Sequence, residues 1–372
     1  MTEKDLSFNS ELTDNYKKIA DKVFNNRRIT EDEALNLFKT NNLGYLGILA
    51  NFIREQKHGN KTYFNKNFHI EPTNICIYNC KFCSYRKKIG DPESWEYNLN
   101  EILNITESYK NKDITEVHIV GGVHPKRDLH YYGKMISEIK KIIPGIHVKA
   151  FTAVELEFMI KKAGYNITDG LLKLKEYGLD SIPGGGAEIF DEELRKQICD
   201  EKSSTDQWLT IHEAAHSVGI PSNATILYGH IETYEHRIDH MSRLRNLQDK
   251  TNGFNTYIPL KYRKENNTMS HIGEVSTLED LKNYAVSRIF IDNIPHLKAY
   301  WPMIGKQTTQ ISLSFGVDDI DGTIDDTTKI YSMAGVEDKN PKFNTEQLVK
   351  FIKESNRTPV ERDSVYNIIK EY

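Results

Sequence analysis

From residue 66 onward the chain repeats one pattern: a short apolar, β-rich run, then a stretch with helical periodicity. The runs fall at 68–75, 116–120, 147–152, 179–182, 222–228, 253–260, 297–302 and 311–315. Helical stretches separate them at 99–110, 130–143, 154–164 with 168–177, 191–218, 235–248 and 278–293. Parallel strands need long crossover connections, and a helix is the usual one. The alternation therefore predicts an α/β fold with a parallel sheet, and a count of eight strands matches a (β/α)8 TIM-type barrel. A six-strand partial barrel is the alternative, because the last two runs are the least regular. Chemistry in such folds gathers in the loops after the strand C-termini.

The flanks read differently. Leu12, Tyr16, Ile19, Ala20 and Val23 recur at helical spacing. Thr30 with Glu33 forms a capping-box signal for a second helix, and 43–53 suggests a third. Residues 1–60 are thus expected as an N-terminal helical extension covering the bottom or side of a barrel at 61–328. Residues 329–372 are expected as a C-terminal helical extension, with helices at 345–355 and 360–372.

The loop after the first run carries Cys76-Ile77-Tyr78-Asn79-Cys80-Lys81-Phe82-Cys83, three of the four cysteines at C-x3-C-x2-C spacing. Thiolates this dense suit an iron–sulfur cluster. Structural zinc usually takes four ligands in C-x2-C pairs, and a disulfide framework suits short secreted chains. Cys199 lies far away, so a four-iron cluster held by three cysteines would keep one iron open to a small molecule.

Composition narrows the partners. Lys+Arg number 49 against Asp+Glu 53, a net charge of −4, so no basic footprint for nucleic acid is present. No apolar run approaches membrane-spanning length, and residues 1–16 show no apolar signal-peptide region. Three clustered cysteines out of four fit a reducing, cytoplasmic setting. Nothing in the chain excludes a homodimer.

The cysteine spacing, with Phe82 before the last thiol, resembles the radical S-adenosylmethionine (SAM) superfamily. That resemblance implies a [4Fe–4S] cluster on Cys76, Cys80 and Cys83, with the open iron chelating SAM. It also implies reductive cleavage of SAM to a 5′-deoxyadenosyl radical, and an electron donor such as flavodoxin or ferredoxin. Gly121-Gly122-Val123 resembles the superfamily's Gly-Gly-Glu element for the SAM amino group, with valine in place of glutamate. Glu188, ending Pro183-Gly184-Gly185-Gly186-Ala187-Glu188, is expected at the ribose or ammonium of SAM. Tyr228, within Thr225 to Glu232, is expected at the adenine edge, and Tyr85 joins the cofactor-facing set. The plain readings are a tight turn at the glycines and N-terminal helix charge at Glu188.

Further charges fall near other predicted strand ends: Lys149, Lys261, Arg263, His296 and Lys298, then the Asp-rich stretch from Phe315 to Thr323. Cations in a barrel mouth suit a carboxylate substrate. By position, Lys149, Arg263, His296 and Asp318 are the catalytic candidates. Calcium at the Asp-rich stretch is disfavoured, since EF-hand spacing is missing. His212-Glu213-Ala214-Ala215-His216 matches a zinc-hydrolase pattern, with Glu235 as a third ligand. That helix precedes the fifth strand, however, while Glu235 follows it. The histidines are therefore expected as surface residues of an outer helix.

Within the superfamily, the stretches 69–76, 149–155, 183–188, 228–233 and 315–323 closely resemble the aminofutalosine synthase family, over about residues 45–338. The resemblance implies addition of the adenosyl radical to 3-[(1-carboxyvinyl)oxy]benzoate, rearrangement and decarboxylation. The products would be 6-amino-6-deoxyfutalosine and methionine, in menaquinone biosynthesis. An aromatic dicarboxylate agrees with the strand-end cations. The rivals are the hydrogen-abstracting dehypoxanthine futalosine cyclases and deazaflavin-precursor synthases, from which 149–155 and 316–319 separate this chain. A non-catalytic iron–sulfur carrier would hold a complete cysteine set.

Overall fold

The structure, a computed structural model, describes residues 14–323, 329–336 and 342–372. Leu12 and the expected boundary at 328 lie outside the described residues. Among the described residues there are ten strands: β1 Lys61–Phe64, β2 Asn67–Ile70, β3 Glu116–Ile119, β4 His147–Ala150, β5 Ser222–Tyr228, β6 Phe254–Lys261, β7 His296–Ala299, β8 Asp319–Ile320, β9 Thr358–Arg362 and β10 Ile368–Glu371.

Parallel pairing runs β2–β3–β4, then through the bridges Lys149–Ser181 and Ile182–Ser222 into β5–β6–β7–β8. β8 pairs in turn with β1, which only Asn65 and Lys66 separate from β2. Across this junction the Thr323 hydroxyl donates to the Asn67 carbonyl at 2.9 Å, and the Thr323 amide donates to Asn65 at 3.2 Å. A helix or helix pair follows each strand position from β2 to β7. The result is an α/β fold with a parallel sheet, consistent with a TIM-type barrel. Alternate strand residues such as Ile70, Val117, Val148, Ala224 and Ile226 are buried, which is why these runs read as apolar.

Three differences from the sequence reading have physical causes. The fourth run contributes only Ser181 and Ile182, as isolated bridges. The eighth strand is not at 311–315: that stretch ends the helix Lys306–Ser312 and turns, and Asp319–Ile320 takes the strand position. A charged two-residue strand is tolerated because Arg362 donates to Asp319 at 2.6 Å. Finally, 360–372 is no helix. β9 pairs parallel to β1, and β10 pairs antiparallel to β9. Ile368 and Ile369 are exposed, so their adjacency does not report a buried helical face.

The N-terminal helices Asp14–Phe24, Glu31–Lys39 and Leu43–His58 form one layer, the second and third packing against the helices Tyr234–Thr251 and Thr277–Phe290. The Thr30–Glu33 capping box forms as expected. Arg54, fully buried, anchors this layer by donating to the carbonyls of Val317 at 3.1 Å and Gly59 at 2.9 Å. No helix among the described residues is long and apolar enough to cross a membrane.

Candidate functional site: a cavity walled by three cysteines

The cysteine loop leaves β2 and is pinned chiefly through its own backbone. The Cys76 amide donates to Lys87 at 3.0 Å, the Ile77 amide to Val123 at 3.1 Å, and the Lys81 amide to Ile198 at 2.8 Å. The Asn79 amide donates to the Glu201 carboxylate at 3.0 Å. Such anchoring fixes three thiols before any ligand arrives, which lowers the ordering entropy of binding.

A cavity of about 280 Å³ opens beside the loop. Cys76, Cys80 and Cys83 line it, together with Tyr85, Gly121, Gly122, Thr152, Glu155, Gly185, Gly186 and Glu188. Arg86 and Lys202 add positive charge, and His118, Val120, Ile258, Leu260, Tyr300 and Ile330 are also part of the lining. The seven cofactor and metal residues expected here, from Cys76 to Glu188, therefore share one space. Cys199 is buried at the end of the helix Glu192–Cys199 and does not line the cavity.

The donor set fits a [4Fe–4S] cluster with one open iron. Three thiols and no fourth border the cavity, and two cations stand ready to offset thiolate charge. Burial pushes the Cys80 thiol up to about 12 and raises that of Cys76 as well, so metal binding must displace protons.

The glycines serve a packing need as well as lining the cavity. A Cβ on Gly122 would sit 2.3 Å from the Ile75 carbonyl oxygen, and one on Gly121 would sit 2.8 Å from that of Thr73. The Gly122 amide donates to Thr73 at 2.7 Å. The β3 loop thus grips the entry to the cysteine loop, which only residues without a Cβ permit. Gly122→Ala is expected to displace Ile75 and Cys76 and to lower cluster content to below half of wild type. Iron determination after anaerobic reconstitution checks this, with circular dichroism to show the fold retained.

Two carboxylates organise the rest of the wall. Glu155, at N3 of the helix Ala153–Lys162, accepts from the amides of Thr152 at 2.8 Å and Gly121 at 3.0 Å. Burial raises its carboxyl to about 7 despite these donors. Glu188 has a positive φ of 50° and is ion-paired with Lys202. Burial opposes the charge on Lys202, but the Glu188 carboxylate paired with it raises the ammonium's pKa overall. Sequence reading missed Lys202, Glu155 and Glu71. The capping-box spacing Thr152-x-x-Glu155 could have revealed the second. Glu71 accepts the amides of Lys329 at 3.0 Å and Ile330 at 3.4 Å, so it holds a C-terminal segment over the cavity.

Other expectations are corrected by placement. Lys149 is the third residue of β4, buried, with Nζ 2.6 Å from Glu116 Oε1, an ion pair without hydrogen-bond alignment. His296 opens β7 and Asp318 precedes β8, so both lie at strand N-termini, away from the cysteines. Asp318 accepts the Leu297 amide at 2.8 Å, pairs with the Arg288 guanidinium, and lies 2.6 Å from His296 Nδ1. Burial opposes its ionisation, but His58, Arg288 and His296 together hold its carboxyl well below the usual range. Although His58, His296 and Asp318 have metal-compatible spacing, Arg288 already occupies the charge role. Tyr228 closes β5, but its hydroxyl donates to Asp280 at 2.8 Å, away from the cavity. Arg263 does follow β6, yet it pairs with Glu274 at 3.0 Å and lines a neighbouring pocket of about 430 Å³.

The zinc-like pattern is structural. His212 is fully buried, stacks on Trp208 at 3.8 Å and shares the Ser222 hydroxyl with His216. His212 is thus buried and His216 half-buried, rather than the surface residues expected. Glu235 pairs with Lys39 at 3.6 Å. Asp318, Asp319 and Asp321 each have a cationic partner, so the Asp-rich stretch has no carboxylates left over for calcium.

Comparison with known proteins agrees with the geometry. The Radical SAM superfamily profile matches residues 70–244, and that of the CofH/MqnC C-terminal region matches 251–371. The chain is 42% identical to an aminodeoxyfutalosine synthase of Thermus thermophilus, over 95% of each protein. It is 37% identical to one of Streptomyces coelicolor, over 96% of this chain and 94% of the relative. A 5-amino-6-(D-ribitylamino)uracil–L-tyrosine 4-hydroxyphenyl transferase of Methanocaldococcus jannaschii is 35% identical, over 93% and 98%. Among solved structures, methylornithine synthase superposes with a TM-score of 0.73 at 17% identity, covering 92% of this chain and 97% of that one. That likeness speaks to the fold alone.

Proposed function

The chain belongs to the radical SAM superfamily, in the branch that carries the CofH/MqnC C-terminal region, and on that premise we propose that it has aminodeoxyfutalosine synthase activity. The reaction joins the adenosyl part of SAM to 3-[(1-carboxyvinyl)oxy]benzoate with loss of a carboxyl group. It gives 6-amino-6-deoxyfutalosine and methionine, on the futalosine route to menaquinone. SAM is consumed as a co-substrate, and an external reductant such as flavodoxin or ferredoxin supplies the electron. The observation that carries this reading is 42% identity sustained over 95% of the chain, through both the cysteine loop and the C-terminal region.

Cys76, Cys80 and Cys83 would hold the [4Fe–4S] cluster, which supplies reductive cleavage of SAM to the adenosyl radical. The protein's own work is positional. Lys202 and Arg86 offset the charge of the thiolates. Glu188, Thr152 and the Gly185–Gly186 backbone offer acceptors along the wall for the hydroxyl and ammonium groups of SAM. Glu155 keeps the Gly121 amide engaged, so the backbone at that turn stays in one conformation. Apolar lining from Val120, Ile258 and Leu260 excludes water and polar hydrogen donors from the reacting alkene. Effective molarity then comes from holding both reactants in near-attack geometry. Of the four catalytic candidates only Arg263 lies beyond a strand C-terminus, and it is the one we retain as a carboxylate-binding group.

Mass spectrometry of an anaerobic turnover with SAM, reductant and the enol-pyruvyl benzoate is expected to show the adenosyl group within the product. Free 5′-deoxyadenosine without an adduct would instead favour a hydrogen-abstracting relative.

A further inference from the structure

The cavity has two chemically distinct parts. Thiols, carboxylates and cations crowd the part formed by the loops. Residues in the strands or directly after them form the other part: His118 from β3 and Val120 just beyond it, Ile258 and Leu260 from β6, with the Tyr300 ring beside them. His118 is the third residue of β3, deeper in the sheet than the Gly121–Gly122 turn that follows.

At this depth His118 lines the cavity, whereas Glu116 and Lys298 do not. Its neighbours have partners: Glu116 is paired with Lys149 at 2.6 Å, and Lys298 donates to Asp321 at 3.1 Å. The His69 ring lies 4.6 Å away, tilted rather than stacked. His118 Nε2, by contrast, is buried and has no hydrogen-bond partner among the described residues, although the ring lines the cavity. Nε2 has no accessible surface, so a ligand in the cavity meets this imidazole at Nδ1, for which no protein partner is seen among the described residues.

We propose that His118 is the polar anchor for a carboxylate on the aromatic ring of the substrate, with that ring lying against Val120, Ile258, Leu260 and Tyr300. This rests on the synthase reading above. The reacting alkene must sit at the loop end, where the thiols are. A meta-substituted benzoate then projects its ring carboxylate away from them, toward the strand interior. Burial, with His69 and Lys149 beside it, keeps the imidazole neutral. A neutral imidazole still offers one N–H donor. An apolar slot with one polar group at its end is the usual plan of a small aromatic site.

The test compares 3-[(1-carboxyvinyl)oxy]benzoate with its analogue lacking the ring carboxylate, on reconstituted enzyme. Wild type is expected to prefer the benzoate by about 10–100-fold in kcat/KM, the worth of one hydrogen bond to a charged group. In His118→Phe that preference should collapse toward unity through a raised KM, with iron content and turnover of the analogue retained. His118→Gln, which keeps a donor, should preserve part of the preference. Calorimetric binding of the benzoate to unreduced enzyme with SAM should follow the same order. A His118→Phe enzyme that keeps full discrimination overturns the assignment. Loss of iron in both variants also overturns it, since His118 would then be structural. If wild type forms no adduct, the assignment falls with the synthase reading, a result separate from a working enzyme whose preference ignores residue 118.

Discussion

Cys80→Ala is expected to leave the protein without a stable cluster and without detectable product, while Cys199→Ala retains both. Cys80 is buried among loop backbone, with its carbonyl accepting from Arg86 at 3.3 Å and from the Cys83 amide at 3.2 Å. Alanine there keeps the loop's hydrogen bonds and removes only the ligand. Two thiols remain, and a four-iron cluster then lacks one more ligand than its open-site chemistry allows. Cys199 lies close enough to influence Lys202 but is not a lining residue, so it cannot substitute. Iron and sulfide determination after anaerobic reconstitution, with the visible absorbance of the cluster, reads the result. A Cys199→Ala protein that loses its iron would place the fourth cysteine in the ligand set.

Arg362→Met is expected to destabilise the fold by about 3–5 kcal/mol, the usual cost of removing one partner from a buried ion pair. Arg362 and Asp319 are both essentially inaccessible, and the guanidinium Nε lies 2.6 Å from Asp319 Oδ2. The guanidinium also sits 4.1 Å from the centre of the Tyr366 ring. Without it, Asp319 retains only Lys298, at 3.6 Å. The penalty is chiefly the stranded carboxylate, so adding Asp319→Asn should recover a large part of the loss. Urea unfolding with an unchanged slope checks both statements. Equal stability of wild type and Arg362→Met would mean that water reaches Asp319.

The cofactor end of the site was legible because its signals are local. Three cysteines within eight residues, paired glycines after a strand and a Gly-rich turn ending in Glu188 each declare themselves over a few positions. The substrate candidates depended instead on strand boundaries. Asp318 seemed to follow a strand only because 311–315 was read as one. The true strand begins at Asp319, which moves Asp318 to the opposite end of the sheet. His296 opens β7, at the near end of the run read at 297–302, so it lies at that strand's N-terminus. Lys149 shows the complementary difficulty: its place was right, but its partner Glu116 is 33 residues earlier in sequence, and such pairing leaves no local trace. The C-terminal hairpin failed for the same reason. β9 is held by pairing with β1, nearly the whole chain away, whereas the local sequence carries only an ambiguous set of apolar residues. His118 drew no notice because a lone histidine in a strand looks like any core residue until its unpaired nitrogen is seen.

The join between β1 and β9 also bears on the order in which a ribosome delivers this chain. Every strand from β1 to β8 emerges before β9, and about forty residues separate β8 from it. At roughly 5–20 residues per second that interval lasts about 2–8 s. During it, β1 has one unpaired edge and Asp319 awaits its arginine. The cysteine loop, by contrast, is synthesised early and has its nearest anchors, from Thr73 to Ile198, in place well before. Nascent chains should therefore display a formed thiol loop on an incompletely neutralised sheet. Iron delivered in that window would meet a protein ready to bind metal before it is fully stable.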